Sequence, residues 1–340
     1  MKQDTDSLVS RAYNDFRIID NLLIKKSSDT TRLANEIEYY MTVPKWFAHY
    51  FPRVFEYSIC ENNSPNSWMI MEYYSYDDAS KLLFELKNPS PTKIQKFINH
   101  IDKFLGSARL HNNAHIRNTT KEQTRIDSRS MYVDKTKLYY YELITDFELF
   151  KEIASYPRLF INGKSYHNFE QMQEWIFKMV DFHVKEIYPA FIHGDFCLSN
   201  ILFGYNENSI NPKSTVKFID PRGKFGNAIH EGDVYYDLAK LMHSTHGGYE
   251  FIIHDRFTVT QLEDSNQHWE LIIPENKVVQ QHFDELLFSK YDAKIIKLLQ
   301  GLIFIGMCSR HYDSEDRQVA MYLQGIKILN EVMYENGFVI

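Results

Sequence analysis

Two short stretches carry residue types whose spacing suits chemistry. In FIHGDFCLSNILF, residues 191–203, an apolar run ends on His193, Gly194 and Asp195; Asn200 follows five residues past the aspartate, and a second apolar run begins. In TVKFIDPRG, residues 215–223, another apolar run ends on Asp220. A buried strand does not accommodate such polar groups without partners. If the two runs pair as a hairpin, Asp195 and Asn200 flank the end to which Asp220 also comes. Two carboxylates and one amide oxygen then share a rim. Phosphoryl transfer needs that set. One carboxylate accepts the proton of an attacking hydroxyl or orients it, and hard oxygen ligands hold magnesium against nucleotide phosphates.

The spacing of Asp195 and Asn200 equals that of the catalytic-loop pattern H-x-D-x-x-x-x-N. The same chemistry needs a cation on the phosphates. LLIKK, residues 22–26, supplies Lys25 at the end of a strand, in the lysine position of the V-A-I-K pattern. Lys26 competes with it, and strand alternation sends the two side chains to opposite faces. The following helix offers Glu36, with Glu38 as the alternative, as the partner of that lysine. His193 reads as a hydrogen-bonded structural histidine, since the adjacent Asp195 can serve as the base. NGKS at 162–165 resembles the end of a phosphate loop, but the glycine required four residues before Asn162 is Arg158.

The elements that must position these groups follow from periodicity. Residues 16–26 read as a hairpin turning at Asp20-Asn21, and 28–42 as a helix capped by Ser28 or Asp29. FPRVFEYSIC and SWMIMEYYS read as two more strands. Helices are expected at about 78–87, 92–112, 145–155, 168–188 and 232–245, with a hairpin within 256–273 and two or three closing helices. The most apolar of these, LLQGLIFIGMC at 298–308, is too short to span a membrane and reads as a core helix. The pattern is a small β-rich lobe at 1–75, then a large, mostly helical lobe at 76–340 with a β insert. This is an α+β class with a cleft between lobes.

The order of Lys25, Glu36, TVP, HGDxxxxN, FID and GDVYYDLAK resembles the aminoglycoside phosphotransferase and choline kinase-like superfamily, small-molecule kinases with a two-lobed, protein-kinase-like fold. The resemblance runs from about residue 16 to residue 245. It implies that Asp195 is the catalytic base, that Asn200 and Asp220 are magnesium ligands, and that Lys25 binds the phosphates. It implies that Asp237 is structural and that the segment Glu72, Tyr73 and Tyr74 offers backbone groups to adenine. ATP and Mg2+ are the implied cofactors. Two departures stand out. No glycine precedes Gly106, so SRAYND at 10–15 stands where a glycine-bearing loop would cover the phosphates. Asp220 is followed by Pro-Arg-Gly, which makes Arg222 a candidate substrate or anion contact. AKLMHSTHGGYEF and CSRHYDSEDRQVAMYL loosely resemble phosphotransferase-like proteins of bacterial capsule and surface-polysaccharide synthesis, which implies a sugar or sugar-derived acceptor. An aminoglycoside or amino-alcohol is the other acceptor class.

Composition bounds the alternatives. The chain has 340 residues, 44 % hydrophobic, with a net charge of -7 and no Lys/Arg block, so a general nucleic-acid binder is not expected. Arg117, Lys121, Arg125 and Arg129 recur every four residues, as a solvated face or as a dock for an anionic substrate group. Three cysteines without CxxC spacing, and no apolar signal core, point to a cytoplasmic protein without a membrane partner. The rivals are a protein kinase, for which no APE-like segment is present, and a nucleotide-binding pseudo-enzyme. The sequence does not name the acceptor or the oligomeric state.

Overall fold

The computed structural model describes residues 14–60, 67–86, 90–111, 119–206, 213–262, 265–335 and 337. In chain order these form β1 (Asn14–Ile19), β2 (Leu22–Ser27), α1 (Thr30–Thr42), β3 (Val54–Ser58), β4 (Ser67–Glu72), β5 (Asp77–Asp78), α2 (Lys81–Phe84) and α3 (Pro91–His111). Then come α4 (Lys121–Arg129), a π turn (Ser130–Asp134), α5 (Lys135–Asp146), α6 (Glu148–Ser155), β6 (Arg158–Ile161), β7 (Lys164–His167), α7 (Phe169–Glu186) and β8 (Ala190–Phe191). The chain continues with β9 (Ile201–Tyr205), β10 (Ser214–Phe218), β11 (Lys224–Phe225), β12 (Ala228–Ile229), β13 (Glu231–Gly232), α8 (Val234–Thr245) and α9 (Tyr249–Ile253). It closes with β14 (Thr258–Gln261), β15 (His268–Ile272), α10 (Lys277–Leu287), α11 (Ala293–Met307) and α12 (Glu315–Glu335).

The expected hairpin turns at Asp20-Asn21, both with positive φ (47° and 63°), the backbone that a two-residue turn between twisted strands requires. Register pairs Phe16 with Lys25 and Lys25 with Met69, within an antiparallel sheet of order β1-β2-β4-β3. Asp29, not Ser28, caps α1, accepting from the Arg32 N–H at 3.0 Å. The expected helix at 78–87 is corrected. Asp77 and Asp78 pair with β9, and the helix keeps only Lys81–Phe84. The α4, π and α5 segment was not anticipated as a whole, and NGKS is the turn of the β6–β7 hairpin, with φ of 51° at Asn162 and 73° at Gly163.

β9 and β10 pair antiparallel, Ile201 opposite Phe218, so the residues before β9 and after β10 emerge at one end. β5 extends this sheet on its other edge. Two apolar cores hold these parts. One joins α1 and β4 to α3, β8–β10, α8 and α10; the other packs α5–α7 against α11 and α12. The apolar segment at 298–308 is buried in the second core, as expected. Among the described residues no helix is long and apolar enough to cross a membrane.

Candidate active site

The loop between β8 and β9 is shaped by the groups beneath it. Asp237, one turn into α8, accepts from the His193 N–H at 2.7 Å and the Gly194 N–H at 2.8 Å. Burial pushes its carboxyl up to about 7, against the pull of those two amides. Gly194 has φ of 79°, and a Cβ there would meet Arg222 Cβ at 2.7 Å, so no other residue fits the turn. His193 is buried; the Asp195 N–H donates to its Nδ1 at 3.2 Å, so Nε2 carries the proton toward the Ile219 carbonyl at 3.1 Å. Burial holds its pKa down, at about 4, and it spans the site as a neutral strut.

Three hydrogen bonds bring the rim together. Asn200 Nδ2 donates to the Asp195 carbonyl at 2.9 Å, and the Ile219 N–H donates to the Asn200 carbonyl at 2.9 Å. Asp220 follows directly. Its N–H donates to the Tyr40 hydroxyl of α1 at 3.0 Å, and it adopts φ of 53°, a left-handed conformation that aspartate tolerates better than most residues. Asp195, Asn200 and Asp220 thus lie on one hydrogen-bonded rim. Asp195 and Asp220 keep side-chain exposures of 19 % and 26 %.

The sheet delivers its cation to the same place. Lys25 Nζ lies 2.6 Å from Glu36 Oε2 and 2.7 Å from Asp220 Oδ1, with Lys25 only 7 % exposed. Burial opposes its charge, but Asp220 and Glu36 outweigh it, so the ammonium titrates above its ordinary range. The open choices close here. Lys26 is half-buried on the other face, and Glu38 is exposed, 3.9 Å from Lys224. Arg32 adds a second cation, its guanidinium 3.7 Å from Asp220 Oδ2.

The segment after β4 is partly committed. The Tyr73 N–H donates to the Asn21 carbonyl at 3.0 Å, and Glu72 accepts from the Tyr74 hydroxyl at 2.5 Å and the Arg53 N–H at 3.0 Å. The Tyr73 N–H and the Glu72 carboxylate are thus already engaged within the protein. Of SRAYND, only Asn14 and Asp15 lie within the described residues, and they begin β1.

Sequence reasoning missed Lys240. Its Nζ lies 2.8 Å from Asp195 Oδ1, buried to 7 % side-chain exposure, and Asp195 keeps it charged against the pull of burial. The signal was present, because Lys240 sits three residues past Asp237 on the same face of α8. Arg222 stacks on Tyr236, 5.3 Å from the ring centre, and its N–H donates to the His193 carbonyl at 3.1 Å. The basic stripe of α4 is elsewhere. Arg129 pairs with Asp181 and Asp134, Arg125 bonds the Lys185 carbonyl, and Lys121 covers Tyr188; Arg117 lies outside the described residues.

Among the described residues no group of three or more His, Cys, Asp or Glu could hold a metal alone. The donor set fits a metal of another kind. Asn200 uses its NH2 on the protein, and among the described residues nothing donates to its Oδ1. One free amide oxygen and one carboxylate suit a hard cation that takes its remaining oxygens from phosphates and water, as magnesium does.

No protein-family model matches the sequence, and no curated protein sequence matches it. Solved structures do match. The GDP and kanamycin complex of APH(2")-IIia gives a TM-score of 0.54 at 11 % identity, over 97 % of this chain and 93 % of that one. Choline kinase from Cryptosporidium parvum Iowa II gives 0.42 at 11 % identity over 97 % and 93 %. Spectinomycin phosphotransferase APH(9)-Ia, with ADP and spectinomycin, gives 0.45 at 12 % identity over 97 % and 91 %. The first of these carries the conclusion: from a β-rich first lobe to a mostly helical second one, the chain has the kinase-like α+β fold of an aminoglycoside phosphotransferase structure.

Proposed function

We propose that the protein is a small-molecule kinase that transfers the γ-phosphoryl group of a nucleoside triphosphate to a substrate hydroxyl. The observation that carries this reading is the meeting of Lys25, paired to Glu36, with Asp220, on the rim that also holds Asn200 and Asp195. In this reading residues 1–75 form the nucleotide-holding lobe and 76–340 the catalytic and acceptor lobe. Lys25 holds the phosphates, and Glu36 holds Lys25. Asn200 and Asp220 would hold magnesium, which supplies charge neutralisation on the phosphates when bound. Asp195 takes the proton from the acceptor hydroxyl and aims its oxygen at phosphorus. Lys240 keeps that carboxylate in place. Catalysis by such a site is positioning and electrostatic stabilisation.

ATP is the expected donor, and the GDP in the APH(2")-IIia complex brings GTP into the test. That complex also contains kanamycin, so aminoglycosides belong in the acceptor panel beside sugars, sugar derivatives, choline and ethanolamine. The three cysteines form no disulfide, which agrees with a cytoplasmic setting. The test is a screen of ATP and GTP consumption over that panel, with and without magnesium. Metal-dependent appearance of a phosphorylated acceptor is the expected result. Nucleotide binding of equal strength without metal, and no phosphorylated product from any acceptor, would instead indicate the pseudo-enzyme.

A further inference from the structure

Basic side chains gather around Asp195 and beyond it. Lys240 touches Asp195 and also approaches Met307 Sδ at 3.7 Å. Met307 ends α11, whose last turn packs on the first turn of α5: a Cβ on Gly306 would lie 3.7 Å from Thr136 Oγ1 and 4.0 Å from Tyr139 Cδ2. Two basic side chains share the Tyr139 ring, Arg310 at 4.1 Å and Lys135 at 5.4 Å from its centre. Arg222 closes the other side, beside Gly194 and on Tyr236. Among the described residues Lys135, Arg222 and Arg310 have no carboxylate within ion-pair distance, although acidic residues outnumber basic ones in the chain. Lys135 also follows directly on the π turn, an irregularity frequent at functional sites.

Basic groups gathered this closely disfavour one another's charge and call for an anion. The transferring phosphoryl group accounts for Lys240 and Arg222, which flank Asp195. It does not account for Lys135 and Arg310, which share the Tyr139 ring. Cationic acceptors such as choline or an aminoglycoside would be repelled there. Resting on the kinase reading above, we propose that the acceptor alcohol carries an anionic group of its own, a phosphate or a carboxylate, which seats on Lys135 and Arg310 with its carbon skeleton against Tyr139. Burial first, then Arg222, Lys240 and Arg310, draw the Lys135 pKa down to about 6, with Asp195 as the opposing charge. An arriving anion reverses that shift, so binding above pH 6 takes up a proton and weakens as pH rises toward 8.

The experiment uses the full chain with ADP and magnesium, and inorganic sulfate as the probe, followed by calorimetry at low salt. Sulfate binding should weaken by at least about tenfold in Lys135→Ala and, separately, in Arg310→Ala, whose exposed position keeps folding out of question. Arg129→Ala on α4 should not change it. Proton uptake at pH 7.5, read from buffers of different ionisation enthalpy, should vanish in Lys135→Ala. Turnover is compared on matched pairs: glucose with glucose 6-phosphate and with glucuronate, glycerol with glycerol 3-phosphate. The anionic member should win, and which anion wins separates phosphate from carboxylate. Sulfate binding that ignores both substitutions, or choline or kanamycin turned over faster than every anionic acceptor, overturns the proposal while leaving the kinase reading intact. Sulfate binding lost in both variants, with no acceptor phosphorylated, supports the anion subsite and counts against the kinase reading.

Discussion

At the residue scale the site depends on two ion pairs that differ in kind. Lys25 serves two carboxylates and is fixed by Glu36 from behind. Lys240 pairs with Asp195, alone among the carboxylates of the described residues. Substituting Asp195 by Asn should leave nucleotide affinity nearly intact and lower turnover by at least about a hundredfold, the scale of a lost general base. Lys240→Met should lower kcat by about ten- to a hundredfold with KM for nucleotide little changed, because a buried carboxylate that loses its partner no longer holds one position. Lys240→Arg should restore part of the rate, and equal loss in both variants would show a packing effect instead. Steady-state kinetics on the acceptor found by the screen gives both results. Asp195, Asn200 and Asp220 were legible from spacing because each follows or precedes an apolar run in a way a strand cannot explain. Lys135 and Arg310 were not, since a lone lysine or arginine on a helix carries no signal until packing shows what it faces.

At the element scale α1 and α8 set the site from opposite sides. The Tyr40 hydroxyl of α1 accepts the Asp220 N–H, and the Tyr39 hydroxyl donates to the Ile192 carbonyl at 2.8 Å. Tyr40→Phe leaves that N–H without its partner, a cost of about 1–3 kcal/mol. The expected readout is a higher magnesium requirement in kinetics, out of proportion to the loss of Tm, because the freed Asp220 must be reordered. On the other side, Ser244 of α8 donates to Glu250 of α9 at 2.6 Å, and the Ser199 N–H does so at 3.4 Å. Burial pushes the Glu250 carboxyl up to about 7 from an ordinary 4.5. The folded protein therefore keeps a proton that the unfolded chain has lost, and this contribution to stability fades as pH rises through 7. Glu250→Gln removes the effect. Its Tm relative to the parent should climb between pH 5 and pH 8, and a constant difference would show that Glu250 is ionised throughout.

At the scale of the whole molecule, the first lobe does not sit on the second as a loose cap. Phe47 stacks on Phe191 with ring centres 3.8 Å apart, and Tyr50 stacks on Phe218 at 5.1 Å, so the segment after α1 belongs to the same core as the β9–β10 hairpin. Phe47→Ala should cost about 3–5 kcal/mol, the range for a buried aromatic. Hydrogen exchange should then quicken in β2, β4, β9 and β10 together, as one cooperative unit would. Faster exchange confined to β2 and β4 would show that the lobes open independently.

The sequence by itself determined the hairpin with its Asp20-Asn21 turn, the order of the motifs, the two apolar runs that end on acids, and the choice of Lys25 and Glu36 as candidates; it did not determine the pairing, since the strand before Asp195 pairs with β13 and β10 pairs with β9. These are local properties, written in periodicity and spacing within a few residues. Tertiary structure decided which lysine and which glutamate meet, because that depends on which face of a strand and of a helix is buried. It also placed Lys240, Lys135 and Arg310 around Asp195. Their positions span 175 residues of chain between Lys135 and Arg310, and only the packing of α5, α8 and α11 brings them near one another.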